Sequence, residues 1–347
     1  MAVPASPGIL TLVRTHKAVL TSVRTWPVGR RSDNPMPPPP VETPVAARRG
    51  LLLAAAAYGC WSLLSPGNAI LLREFDPMWL QAIRGVLAAA VLAPLLRLGD
   101  WRVVASFSGR PDVLLLAVAG NGVSFTFFVL AQTRIPATFT TLGFYTAPVW
   151  TALLAWMVLR EPVGRTFGVT VAALLVGGWL ALGRPGVDGG SIDALGMMLA
   201  VGSGVAWAVY SVLLRKHETL PFLPLLWFSL AVGAAWFLLG ALAFEPLPAW
   251  SAVSGGGWLW TGIQVAVPTL AALGLFQASL RHAPAARVNV LVGIELGGTA
   301  LVSWLLLGHA LDAVQGAGLT LVLLAVSAYL WLRARPEPSP SPTPAPP

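Results

Sequence analysis

Residues 136–159 read PATFTTLGFYTAPVWTALLAWMVL, and residues 284–307 read PAARVNVLVGIELGGTALVSWLLL. Pro136-Ala137 recurs as Pro284-Ala285, Thr151-Ala152-Leu153 as Thr299-Ala300-Leu301, Trp156 as Trp304 and Leu159 as Leu307. The displacement is 148 residues, and it holds beyond the stretch, where Phe128 meets Phe276 and Gly168 meets Gly316. Solenoid units repeat every 20–50 residues or so, hence a period this long marks a duplicated half-protein. In a membrane chain, two such halves facing each other across a central site are the usual layout of a secondary transporter.

Composition supports the membrane. The chain is 56% hydrophobic and 10% charged, with a mean hydropathy of +0.73. Soluble domains carry about 25% charged residues, so polar groups are too few to cover a water-facing surface. Apolar runs of about 20 residues recur, each long enough to cross a hydrocarbon core of about 30 Å as a helix. Ten such runs fall at 50–72, 77–97, 112–132, 137–159, 166–183, 193–214, 221–244, 257–280, 284–307 and 313–332. The expected fold is an all-α integral membrane protein of ten transmembrane helices. Its parts are a first five-helix repeat over 50–183 and a second over 193–332. Residues 1–47 read as a disordered cytoplasmic arm rich in Pro, Ser, Thr and Arg, in which Met36 is an alternative start. The apolar segment Ile9–Val13 is too short for a signal-peptide core. Residues 336–347 read as a disordered Pro/Ser tail.

Loop charge gives direction. With the N-terminus inside, 18 Arg and Lys residues fall in the arm, the inner loops and the tail, whereas outer loops hold Arg73, Arg134 and Arg184. By the positive-inside rule, both termini are then cytoplasmic. Five spans per repeat is an odd number, so the second copy enters the bilayer upside down. The loops agree: inner Arg160-Glu161 and Arg165 correspond to outer Gly308-His309 and Ala313, and outer Thr133 corresponds to inner Arg281.

Other classes leave no trace. The net charge of +8 lies in short loops and the arm, which fits topology rather than a nucleic-acid partner. One cysteine, Cys60, allows no internal disulfide. His217, His282 and His309 lack metal-ligand spacing, so neither a metal nor another cofactor is expected. There is no Gly-x-x-x-x-Gly-Lys for ATP drive, no His-Glu-x-x-His, no Gly-x-Ser-x-Gly and no pair of intramembrane aspartates. An intramembrane enzyme therefore has no catalytic constellation to work with. A passive channel or a structural membrane subunit, which predicts an inverted repeat with broken helices less naturally, stands as the alternative.

Two ionisable groups lie deep in the spans, where charge costs several kcal/mol and marks function or a protein-facing partner. Glu295 lies at the midpoint of span nine, with Thr299 and Ser303 following at helical spacing. A carboxyl there can alternate between charged and neutral forms and couple transport to protons, or it can serve packing as a bonded acid. Arg84 sits two turns inside span two, where it either neutralises a substrate carboxylate or snorkels to the outer interface. Neutral polar faces form a second tier of candidate substrate ligands. Tyr58, Trp61, Ser65 and Asn68 share a face of span one, which Ser65-Pro66-Gly67-Asn68 can interrupt, freeing backbone carbonyls. Asn121, Ser124, Phe128 and Gln132 align on span three, and Ser203, Trp207 and Tyr210 on span six. Gln264 precedes Pro268 by one turn on span eight. Each can equally be an interhelical hydrogen bond, worth about 0.6 kcal/mol on average. Gly293-x-x-x-Gly297 brackets Glu295 and permits close helix approach, although glycine is common enough here for a chance match.

Several motifs together resemble the EamA-type members of the drug/metabolite transporter superfamily. They are Tyr58-Gly59-Cys60-Trp61-Ser62 in span one, Pro77 followed by Arg84 in span two, and Ala147-Pro148-Val149 closing with Leu159-Arg160-Glu161-Pro162 in span four. The likeness covers residues 50–332. Leu296 replaces a usual proline, and His309 stands where the family usually has glutamate. The resemblance implies export of small organic solutes, such as amino acids or related metabolites, across the bacterial inner membrane. The expected partners are a small-molecule solute and the lipid bilayer, with protons as the coupling ion that Glu295 suggests.

Overall fold

The computed structural model describes residues 44–135, 137–162, 164–182, 193–307 and 312–334. The Met36 start, most of the arm, His309 and the 336–347 tail lie outside the described residues. A bilayer core offers no water to backbone N–H and C=O groups, so each crossing segment must satisfy them internally as a helix. The Leu-, Ala- and Val-rich runs do this. Among the described residues, nine helices are long and apolar enough to cross a membrane. They are α1 (Val45–Leu71), α2 (Pro77–Leu95), α3 (Pro111–Ala131), α4 (Phe139–Leu159), α6 (Ala194–Lys216), α7 (Phe222–Phe244), α8 (Gly255–Ser279), α9 (Ala285–Leu306) and α10 (Ala313–Leu332). The shorter apolar helix α5 (Arg165–Ala181) completes the expected ten. The first helix starts at Pro44, six residues before the expected 50, so residues 44–47 belong to it and not to the arm.

The two halves are related by inversion. One face gathers the start of α1 with the ends of α4, α6 and α8: Arg49 lies near His282, Arg215 pairs with Glu161, and Arg215 Nη1 donates to the Leu280 carbonyl at 2.9 Å. The opposite face gathers the other loops. There Glu245 accepts from the backbone N–H groups of Met78 and Trp79, Glu74 from Ser254, and Asp193 pairs with Arg134. Helix α6, the counterpart of α1, thus ends where α1 begins. The packing partners follow the same symmetry. Helix α2 packs on α7 and α5 on α10, while α1 packs on α8 and α9 as α6 packs on α3 and α4. Without a hydrophobic drive between helices in lipid, such crossings depend on close approach at small residues. At the α5–α10 crossing, a methyl group added to Gly177 would come within 2.7 Å of the Gly318 carbonyl oxygen. The Gly293-x-x-x-Gly297 pair also packs on α10, against Val322, Val326 and Leu323, so the motif is a genuine contact surface.

Three spans break inside the bundle. Helix α1 divides into Pro44–Trp61 and Leu64–Leu71, one turn earlier than the Ser65–Asn68 stretch suggests. Pro66 is tolerated in the first turn of the second piece but cannot bond the carbonyl four residues back, that of Ser62, so the chain breaks there. The break also turns the following residues, and Ser65 faces outward instead of sharing the Tyr58–Trp61 face. Pro148 has the same effect on α4, whose pieces are Ala137–Phe144 and Ala147–Leu159. Helix α9 has Leu296 in place of that proline, yet divides earlier, after Asn289. There the Asn289 side chain bonds the Ala285 carbonyl at 3.0 Å, the competition with backbone bonding that disfavours asparagine within helices. Helices α3 and α8 each carry a π-helical turn, Val118–Ser124 and Val265–Ala271, at matching places in the two halves. Widened turns of this kind often mark functional sites.

Candidate functional site

A cavity of about 50 Å³ lies between the halves, lined from α1, α2, α3, α7 and α8. Trp61, Gln81, Arg84, Asn121 and Thr269 form its polar and aromatic wall, and Phe125, Leu230 and Leu273 its apolar wall. Arg84 is 4% exposed, so the snorkelling alternative is incorrect: the side chain is enclosed by protein. Its Nη1 donates to Asn68 Oδ1 at 2.9 Å and to Gln264 Oε1 at 3.3 Å, and its Nη2 donates to Gln81. Among the described residues no carboxylate pairs with it.

Gln264 is wholly buried and occupied at both ends of its amide. Its Nε2 donates to the carbonyls of Leu63 and Leu64 at 3.0 and 3.3 Å, across the break in α1, while its Oε1 accepts from Arg84. Gly67 makes room for it, since a methyl group at that position would collide with the Gln264 amide. A third carbonyl at the break, that of Ser62, accepts from Thr299 Oγ1 of α9 at 3.4 Å. Gln264 is therefore a strut between α1, α2 and α8 that holds Arg84.

Behind the cavity lies an aromatic cluster. Trp61 and Trp207 meet edge-on with centroids 5.4 Å apart, and Phe276 packs on both at 5.3 and 5.2 Å. Tyr210 stands 5.1 Å from Trp207, with its hydroxyl against Asn121 and Ser229. Asn121 Nδ2 donates to Ser229 Oγ at 2.6 Å, tying α3 to α7. Ser124 likewise bonds the Ser203 carbonyl, so those two serines tie α3 to α6. Trp61 and Trp207, candidates on separate spans, thus touch each other, but of the two Trp61 alone lines the cavity. The sequence reading missed Asn289, whose Oδ1 accepts from Tyr58 (3.3 Å) and from Trp207 Nε1 (3.1 Å). A lone amide in the apolar run after Arg287 was the available signal. It also missed Gln81, one helical turn from Arg84.

Glu295 lies away from the cavity, close to Tyr58 and Tyr145. Because α9 divides before it, Glu295 sits in the first turn of the piece Val292–Leu307 rather than at the middle of an unbroken span. The partial positive charge of a helix N-terminus favours an anion there. The side chain is part-buried, and its carboxyl has no hydrogen-bond or ion-pair partner among the described residues. Gln132's side chain lies outside what the structure describes.

On the arginine-rich face, the Glu161–Arg215 pair (3.3 Å) and the His217 Nε2–Asp112 Oδ2 contact (2.9 Å) join α4 to α6 and α6 to α3. Burial raises Glu161 above the ordinary glutamate value, although Arg215 pulls it down. Burial holds the His217 imidazole below its ordinary 6.5, against the opposing pull of Asp112. The unfolded chain then binds more protons at His217 in the window just below 6.5, so this contribution to stability falls on acidification through that window. His217→Gln should flatten that part of the pH–stability curve in detergent-solubilised protein; an unchanged curve would rule out His217 as its source.

Among the described residues, ten apolar helices, an inverted duplication, and a broken helix meeting two π-helical turns at a buried polar cavity define a multi-pass membrane protein of the inverted-repeat class. The chain matches the EamA-like transporter family over residues 48–183 and again over 194–331, and it belongs to that family. Its members are transporters, not enzymes. Among its relatives, the threonine/homoserine exporter RhtA of Salmonella typhimurium (strain LT2) is 27% identical over 251 residues, 70% of this chain and 78% of the relative. RhtA of Escherichia coli K12 is 26% identical over 258 residues, 72% of this chain and 81% of its own length. The uncharacterized transporter YwfM of Bacillus subtilis is 24% identical over 78% of this chain. A solved crystal structure shares the fold at a TM-score of 0.72 and 19% identity, spanning 83% of this chain and 98% of its own.

Proposed function

We infer that the chain is a secondary transporter exporting small organic metabolites, such as amino acids or related compounds, across the bacterial cytoplasmic membrane by alternating access. The observation carrying this reading is the cavity between the halves, where the broken α1 and the π-turns of α3 and α8 meet. Discontinuous helices at a repeat interface give a binding site that rigid-body rocking can expose to either side. The RhtA relatives, named as threonine/homoserine exporters, support an amino-acid-sized solute. In this reading the arginine-rich face is cytoplasmic, both termini lie on that side, and Glu295 couples transport to protons.

Flux of labelled threonine, homoserine and a panel of other amino acids, nucleosides and cationic drugs in proteoliposomes tests it. Export under an imposed gradient is the expected result. Failure of every solute to move would overturn the assignment.

A further inference from the structure

Arg84 is a buried cation surrounded by neutral groups. A guanidinium has five N–H donors. Asn68 and Gln264 occupy Nη1, and Gln81 accepts from Nη2. Nε is buried and has no partner. Three of the five are thus taken, and two remain, one on Nη2 and one on Nε, the number that a carboxylate takes from arginine in a bidentate pair.

The cavity supplies the rest of the selection. Its volume of about 50 Å³ compares with the 10–15 Å³ or so that one water needs by the same measure. It admits a carboxylate head group, with Trp61, Phe125, Leu230 and Leu273 to meet a short carbon skeleton. The side chains lining it carry no charge besides Arg84. A monoanion neutralises that single charge, whereas a dianionic phosphate would leave an uncompensated negative charge in a buried pocket. The repeat gives no second cation, since the position 148 residues after Arg84 is Val232.

We propose that the Nε–Nη2 side of Arg84 is a carboxylate subsite, holding the monoanionic end of an amino-acid solute and setting selectivity for acids over their amides. This deepens the transport reading and rests on it. Asn68, Gln81 and Gln264 are positioning residues that orient the guanidinium and leave its Nε unpaired beside the cavity that Arg84 lines.

Titration calorimetry on the purified full-length protein tests the subsite, with L-threonine, L-homoserine, their amides and acetate as probes. The wild type should bind each acid at least tenfold more tightly than its amide. Arg84→Gln should bring that ratio to about one, and Arg84→Lys should fall between, because an ammonium supplies charge without the fork. Thermal unfolding checks that the variants fold; if Arg84→Gln does not, the wild-type acid-to-amide comparison decides alone. Equal wild-type affinity for acid and amide, no binding of any acid, or discrimination retained in a folded Arg84→Gln would overturn the proposal. Flux of uncharged solutes without preference for acids would sink the subsite and leave transport standing. Absence of all flux would instead count against transport itself.

Discussion

Glu295→Gln should abolish proton-driven accumulation of solute while leaving solute exchange intact. The amide matches the carboxyl in size and hydrogen-bonding reach but takes up and releases no proton. Nothing among the described residues hydrogen-bonds the Glu295 carboxyl, so the near-isosteric substitution breaks no hydrogen bond there and folding should survive it. Its environment suits a group that changes charge. Its part-buried place within the membrane-spanning bundle opposes the anion, and the helix N-terminus created by the division of α9 favours it. At one proton per solute, a gradient of one pH unit supplies about 1.4 kcal/mol and sustains about tenfold accumulation. In proteoliposomes the wild type should approach that ratio and Glu295→Gln should stay near unity, with similar counterflow of labelled solute. A mutant with the pH dependence of the wild type would remove Glu295 from the coupling step.

Two substitutions probe Gln264. Gln264→Leu leaves the Leu63 and Leu64 carbonyls and one Arg84 N–H without the partner they now share. Hydrogen bonds between membrane helices are worth about 0.6 kcal/mol on average and up to about 1.7, so the combined loss should be about 2 kcal/mol, read as a lower unfolding temperature. Gln264→Glu keeps the shape and places a carboxylate beside Arg84, at the site of an oxygen now 3.3 Å from Nη1. That internal anion should compete with an acidic solute and lower its flux by at least tenfold, while its second oxygen, unable to donate to the Leu63 and Leu64 carbonyls as Nε2 does, lowers stability as the leucine does. If Gln264→Glu transports acids normally, Arg84 does not contact the solute; if Gln264→Leu is as stable as the wild type, the strut has no weight.

The two ionisable groups within the spans, Glu295 and Arg84, lie where the repeat fails. Glu295 corresponds to Ala147, and Arg84 to Val232. A duplicated scaffold supplies matched helices and a shared cavity, and in the proposed transport single unmatched residues supply the chemistry. The aromatic cluster follows the symmetry more closely, with Tyr58-x-x-Trp61 facing Trp207-x-x-Tyr210 across the interface.

The sequence by itself determined the class, the ten crossings and the inverted duplication. These depend on one-dimensional quantities: apolar run length against membrane thickness, the 148-residue period, and the side on which arginines accumulate. It also picked out Arg84, Asn68 and Gln264 as separate polar residues on three spans. Only the tertiary structure decided that they bond to one another, because residues up to 196 positions apart, such as Asn68 and Gln264, become neighbours through helix packing rather than chain spacing. Packing likewise placed the α1 break at Ser62 and withdrew Ser65 from the polar face. It divided α9 after Asn289 and so put Glu295 at a helix start. A proline shows that a helix will be disturbed, but the partners available to the freed carbonyls settle where it opens. Here those partners, Gln264 and Thr299, come from the inverted second half.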